Sequence, residues 1–477
     1  MSRFSAARTA GFVIGGVVAA ASLVGAAGLI WLDLPGLTRD TVEVSAQPPA
    51  AASVATCAGP LLASGRDATQ ASLLTDAAPQ AVTAASSANG EVAEATLAAP
   101  DVSGGAGPAS LTAPPSPGGD RVDLAAAGSS TVRADDATGF AASACTRAEM
   151  ESWLVTGTGT TGSADLVVLA NPGDVASLVT LSVYGASGLV QPAAGKGIVV
   201  PAGTQRVVPL AALALGEENP VVRVTATQAP VQAALQSSLT RVLAPIGIDQ
   251  SAAVAAPATT LVIPGVTVTV APGEAGASDV STYLRLVAPS TDGTATVTVR
   301  GGAVGSGGAV GSGGSGTTAQ TQTILVAAGV PLQLDLSGLA IGTYTVGVEA
   351  TTPVTGAVWS TTGSAAGSDF AWYTPAPELA AQTLVAVAAG PGAVLTVTSA
   401  TEQVVTLDGG AAGGGDDQLR LAAGGSVSVP VTANATYRVR ADAPVRAAVS
   451  YSGTGSLAGY PVPSGDAAES AIRVYPR

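Results

Sequence analysis

The strongest constraint in this sequence is a pattern that recurs three times. The stretches VVRVTATQAPVQAALQSSL (221–239), TYTVGVEATTPVTGAVWSTT (343–362) and TYRVRADAPVRAAVSYSG (436–453) each read as an alternating strand, a break at Pro-Val and a second alternating strand. The equivalent prolines are Pro230, Pro353 and Pro444. Proline has no N–H to give to a ladder, so it marks where one strand must end. Upstream of each lies a strand, an Ala-Gly turn and another strand: VVPAGTQRVVPL (199–210), LVAAGVPLQLDL (325–336) and RLAAGGSVSVPV (420–431). Glycine tolerates positive φ, so each of these reads as a hairpin. Further upstream, LVVLANPGDVASLVTLSVYG, LRLVAPSTDGTATVTVRG and LVAVAAGPGAVLTVTSA each place two strands around a Pro/Gly turn.

A fixed order of elements met three times predicts tandem copies of one β unit. About six or seven short strands per copy, each with period-2 alternation, predict an all-β protein of tandem β-sandwich modules, immunoglobulin/fibronectin-like. The modules span 146–245, 260–365 and 378–477. Val and Leu then fill the inner layers while Thr, Ser, Arg and Gln face water. Composition agrees: Gly 60, Pro 31 and 11% charged residues in 477 favour turns and strands over long helices.

The run from Ala10 to Leu32 carries no charge and is long enough to cross a hydrocarbon core of about 30 Å as a helix. Arg3 and Arg8 precede it and Asp33 follows. Residues 1–9 are therefore expected to be a cytoplasmic tail, 10–32 a transmembrane helix with Trp31 at interfacial depth, and everything later extracytoplasmic. The rival is a signal peptide cleaved near Gly25, Ala26 and Ala27, although the apolar run continues through Leu29, Ile30, Trp31 and Leu32. Either version exports the rest of the chain.

Residues 33–145 are rich in Pro, Ala, Ser and Gly, including LTAPPSPGG at 111–119, and are read as partly disordered, with 65–144 mostly irregular. Cys57 and Cys145 bracket this segment. They either pair, which export favours, or stay as two free thiols. The Gly/Ser tract at 301–318 reads as a flexible loop within the second module.

Several functions are set aside by composition. With no His, Ser-His-Asp and Cys-His chemistry and the commonest zinc ligand are missing. A net charge of -14 argues against nucleic acid, which requires a basic surface. GTGTTG at 157–162 formally matches a dinucleotide fingerprint, but a strand follows where a helix is needed, so it reads as a turn. The acidic pairs Asp135 with Asp136, Glu217 with Glu218 and Asp416 with Asp417 lack the spacing of a calcium loop and read as solvated turn charges. No catalytic residue, metal site or cofactor is expected. Trp153 and Trp359 read as core; Trp372 and Tyr373, in the Pro-rich WYTPAPE linker, are the candidates for exposed aromatic contact. Asn434 opens an NAT sequon, which without a known host carries little weight.

The anchor, CAGP at 57–60, Cys145 with Trp153 nearby, LANP at 169–172 and the VPAG hairpin together resemble a family of actinobacterial membrane-anchored extracytoplasmic proteins of unknown function. The resemblance implies export and the Cys57–Cys145 bridge, and it supplies no functional residues. The expected role is a non-enzymatic cell-envelope protein that binds or scaffolds an envelope protein or a wall glycan. An accessory subunit for envelope polysaccharide assembly or export is the alternative, and a carboxylate-dependent hydrolase ranks last.

Overall fold

The computed structural model describes residues 50–66, 73–87, 91–116, 121–270, 281–301, 318–409 and 417–465, the short pieces 44–46, 303–304, 311–312 and 472–474, and the single positions 17 and 21. The chain is all-β. The predicted tail and membrane helix, 1–9 and 10–32, lie outside the described residues apart from those two positions. Among the described residues no helix is long and apolar enough to cross a membrane. One small unit holds the antiparallel pair Val44–Ala46 with Ile472–Val474. Pro49–Ala468 forms the other, compact unit.

Within that larger unit, the three sequence repeats share eight strands in the same order, and the first adds a short strand, Gly188–Val190, beside its third. The second strand (Leu166–Asn171, Thr282–Val287, Val394–Ser399) lies between the fifth (Thr204–Pro209, Leu332–Asp335, Ser426–Pro430) and the seventh (Gln232–Arg241, the later part of Gly342–Thr361, Val445–Gly453). The eighth strand (Ala244–Ala252, Phe370–Tyr373, Ser456–Pro461) completes this sheet beside the seventh. In the other sheet the sixth strand (Val221–Thr227, the early part of Gly342–Thr361, Ala435–Arg440) lies between the first (Glu151–Leu154, Ala258–Val268, Gln382–Val387) and the third (Ser177–Gly185, Gly293–Gly301, Gln403–Gly409). The fourth (Ile198–Val200, Thr318–Val326, Asp417–Leu421) pairs with the third. Both sheets feed one core: in the first repeat Val179, Leu181 and Val224 from one meet Val167, Leu169 and Leu235 from the other. Burying such side chains stabilises by roughly 1.5 to 3 kcal/mol each.

The Pro-Val breaks are the corners where the chain leaves one sheet for the other. In the second repeat Ala350 still pairs with Ala295 while Thr355 already pairs with Val287, and Pro353 lies between. The Ala-Gly turns require a correction. They do not close hairpins, because the strands on either side pair with the third and second strands, in different sheets. The glycine requirement itself is real: Gly203, Gly329 and Gly424 sit at φ 66, 74 and 67. One alignment also slips, since LVAVAAGPGAVLTVTSA holds the first and second strands of its repeat whereas its two counterparts hold the second and third.

The segment 65–144 departs most from expectation. Its described residues are largely strands, and with Ser53–Thr56 they form an N-terminal module built on the same plan. Ser53–Thr56 pairs with Ala106–Ala113 as first with sixth, and Ala93–Ala98 pairs with it as third. Ala81–Ser86, Leu124–Arg133 and Thr138–Ala144 stand as second, seventh and eighth. Pro114 and Pro115 follow the sixth strand, where the other repeats break at Pro-Val. A hairpin, Leu61–Ser64 with Leu74–Ala78, is inserted after the first strand. The small residues that suggested disorder are instead buried, as Ala125, Ala127, Ala142 and Ala144 are. Of the Gly/Ser tract, only 303–304 and 311–312 add to the described strands, pairing in parallel with the fifth and fourth strands of the third repeat.

One-sided burial does not hold throughout. All six residues of Leu166–Asn171 and all four of Phe370–Tyr373 are buried, because repeats also pack against one another. Trp153, Val155, Tyr184 and Val221 of the first repeat cluster with Val287, Ala357, Phe370 and Trp372 of the second. Ala125, Ala127, Phe140, Ala142 and Ala144 of the N-terminal module join the core of the third.

Candidate functional site

The eighth strands of the four modules meet around one carboxylate. Thr138–Ala144 packs beside Ala244–Ala252 and Ser456–Pro461, and Phe370–Tyr373 beside the same two, so the four strands close on themselves. At the shared centre Asp369 Oδ2 accepts the N–H groups of Phe140 and Leu457 at 2.9 and 3.0 Å, and Oδ1 accepts that of Ile248 at 3.2 Å. The equivalent positions on the other strands are Gly139, Gly247 and Ser456. A Cβ at Gly139 would lie 2.7 Å from Asp369 Oδ1, and one at Gly247 2.8 Å from it. Only glycine leaves room there, and both residues also hold positive φ (143° and 145°). Burial pushes the Asp369 carboxyl well above its ordinary range, opposed by these N–H donors.

A buried cation ties the first repeat to the second. Arg285 Nη1 donates to the carbonyls of Gly157 (2.6 Å), Pro220 (3.2 Å) and Val155 (3.4 Å), and Nη2 donates to Glu218 (3.1 Å). Its guanidinium lies 4.6 Å from the Trp372 ring centroid. Trp372 and Tyr373 are therefore buried, 3% and 2% exposed, and do not form the exposed aromatic contact expected from their linker-like sequence. They fill the eighth strand of the second repeat. Trp153 is core, as expected. Trp359 is half-buried, stacked on Tyr283 at 5.1 Å. The GTGTTG turn serves the same junction: Gly157 supplies a carbonyl to Arg285, and Thr158 N–H donates to Asp165.

Two residues of the acidic pairs have local partners. Asp136 pairs with Arg66 at 2.6 Å, and Glu217 accepts the N–H of Ala186 at 2.9 Å. Asp416 lies outside the described residues. Among those residues no group of His, Cys, Asp or Glu could hold a metal ion. Burial pushes Asp165 up to about 6 and Asp249 up to about 7. Asp249 Oδ2 accepts the backbone N–H of Trp372 at 2.8 Å, while among the described residues Oδ1 meets no hydrogen-bond partner.

Asp249 supports a pH-dependent prediction. Its folded pKa of about 7 exceeds the ordinary 3.8, so its burial costs nothing below about pH 4, progressively more between about pH 4 and 7, and a constant amount above. The full cost is about 4 kcal/mol. Asp249→Asn removes the charge, keeps an acceptor for Trp372 and leaves one buried amide group unpaired, which costs about 2 kcal/mol. The substitution is expected to raise stability by about 2 kcal/mol at pH 8 and by almost nothing at pH 5. Chemical denaturation at the two pH values checks this; equal shifts at both would contradict it.

Cys57 and Cys145 are bridged and buried, 88 residues apart in sequence. The bridge links the chain just after the first strand of the N-terminal module to the chain just after its eighth. Beside it Thr56 and Thr146 exchange backbone N–H···O bonds of 2.8 and 3.0 Å.

That module also departs from the complete repeats at one edge. Its chain turns from the third strand straight into the sixth, leaving out the fourth and fifth. Among the described residues its second strand, Ala81–Ser86, meets a strand partner only along the side facing Leu124–Arg133, and Val82 and Ala84 have no backbone partner on the other. Two recesses flank it. One, of about 560 Å³, is lined by Val82, Thr83, Ala84, Thr432, Asn434 and Thr436. The other, of about 520 Å³, is lined by Val82, Ala84, Ser86, Val92, Glu94 and Leu111. Sequence reasoning missed this edge and Arg285 alike. Laying the six N-terminal strands on the repeat would have exposed the two missing ones.

Fold and site together define an all-β protein of one complete eight-strand plan used three times and an abridged version used once, closed around a buried carboxylate. The chain belongs to DUF5719, a family of unknown function, which matches residues 98–432. The matched stretch starts inside the N-terminal module and ends between the fifth and sixth strands of the last repeat. Comparisons with curated proteins and with solved structures returned no match.

Proposed function

We propose that this chain is a non-enzymatic, membrane-anchored extracytoplasmic protein of an actinobacterial cell envelope that binds or scaffolds a partner, an envelope protein or a wall glycan. The observation that carries this reading is the strand edge at Val82 and Ala84, which among the described residues meets no backbone partner and lies between two recesses, a surface suited to holding a partner. The buried Cys57–Cys145 bridge suits an oxidising compartment outside the cytoplasm. A role without catalysis is supported by the use of the buried charges: Asp369, Asp249, Asp165 and Arg285 are each committed to backbone groups. The modules are read as sandwiches of an immunoglobulin/fibronectin-like kind, since second pairs with fifth and third with sixth, as B with E and C with F. Here the seventh strand joins the sheet of the second instead.

Localisation and binding are tested separately. Protease added to intact spheroplasts of the host should cut the folded part while a cytoplasmic marker survives; full protection would overturn export. Co-sedimentation with the host's wall fractions, with and without their attached glycans, and crosslinking of the full chain in cells then separate wall from protein. Failure to capture anything by either route would reject the binding role.

A further inference from the structure

We infer that the edge of the N-terminal module's second strand at Val82 and Ala84 is a docking site for an extended segment of another protein, which adds as a strand where the fifth strand lies in the complete repeats. The inference rests on the binding role proposed above and names the class of partner.

The backbone is set for such an addition. Ser87 N–H donates to the Asp123 carbonyl at 2.8 Å, and Ser86 stands opposite Leu124. In an antiparallel ladder alternate residues point their N–H and C=O groups to opposite sides. Thr83 and Ala85 therefore face Leu124–Arg133, whereas Val82 and Ala84 turn theirs to the open edge. The far side of the same partner strand fits this phase, since Cys145 N–H donates to the Ala126 carbonyl at 2.9 Å. Among the described residues no backbone partner meets Val82 or Ala84 on the open side. In all three complete repeats the corresponding edge is covered by the fifth strand, four to six residues long.

The recesses define the chemistry of the occupant. Side chains of an added strand alternate between its two faces. One face would meet Val82, Ala84, Val92 and Leu111, with Glu94 at hand, and calls for apolar residues and a nearby cation. The other would meet Thr432, Asn434 and Thr436 and calls for small polar residues. No aromatic lines either recess, so neither offers the stacking platform that would favour a sugar. The chain's net charge of -14 disfavours a second copy as the occupant.

The probe is a fluorescent peptide with the sequence of residues 203–210, GTQRVVPL, the chain's own fifth strand from the first repeat, which carries a basic residue. It should bind saturably to the purified full-length chain in detergent. N-methylation of the peptide's alternate amides, and separately Ala84→Pro in the protein, should each weaken binding by at least about tenfold. Ala84→Pro removes an outward N–H and leaves the inner ladder in place; the N-methylated peptide gives the same reading without altering the protein. No saturable binding, or binding indifferent to both changes, would overturn the proposal. It would equally be overturned by a dimer of the free chain that Ala84→Pro dissociates, which would make a second copy the occupant. Slow hydrogen exchange at Val82 and Ala84 in the free monomer would assign the edge to this chain's own residues and overturn it too. None of these results bears on export, which the spheroplast experiment decides alone.

Discussion

Asp369→Asn should lower the stability of the folded unit by about 3 kcal/mol, although the two side chains have nearly the same shape. The carboxylate accepts N–H groups from three other modules, two on Oδ2 and one on Oδ1. An amide has only one oxygen. Its NH₂ group must therefore face either Ile248 N–H or the Phe140 and Leu457 pair, donor against donor, in a buried site that water cannot relieve. Because the donors sit on separate modules, the loss should show as loosened contacts among all four eighth strands. Denaturant unfolding gives the magnitude, and hydrogen exchange at Phe140, Ile248 and Leu457 gives the location. A variant of unchanged midpoint with all three amides still protected would mean that the carboxylate is not what holds the junction.

Reduction of the Cys57–Cys145 bridge should have the largest effect of all, about 4 to 5 kcal/mol in the chain-entropy account of a loop this long. The affected region should be the N-terminal module. Its first strand is only four residues long and pairs with one neighbour, Ala106–Ala113. Without the bridge, the two bonds between Thr56 and Thr146 are the main backbone link between the module's ends. Cys57→Ser with Cys145→Ser, compared with the parent chain with and without reductant, checks this through the unfolding midpoint and protease sensitivity near Thr56. If the double variant matches the oxidised parent in both, the bridge contributes little.

How much was legible beforehand depended on the kind of signal. The three Pro-Val breaks could be read directly, because proline interrupts a ladder wherever it occurs, and each proved to be a sheet-to-sheet corner. The Ala-Gly turns were half legible: positive φ is a local property of Gly203, Gly329 and Gly424, but which strand the next segment pairs with is not. Residues 65–144 were misread because their signal is composition. Ala, Ser and Gly runs such as Leu124–Arg133 bury little apolar surface by themselves and so resemble a disordered segment. They become strands because other modules cover them, as Ala125, Ala127 and Ala142 show by joining a core that belongs mostly to the third repeat.

Trp372 and Tyr373 teach the same lesson. Among prolines their sequence looks like an exposed linker, yet Trp372 lies over Arg285 and both rings are buried. By itself the sequence determined the strand class, the repeat, its corners and the cysteines available to pair, since alternation, proline and glycine act on the nearest few residues. Only the tertiary structure decided that four modules close on one another, that Asp369 serves three neighbours and that, among the described residues, Val82 and Ala84 of one second strand meet no partner on their outer side. Those outcomes depend on which surfaces meet across hundreds of residues, and no local preference of the chain encodes that.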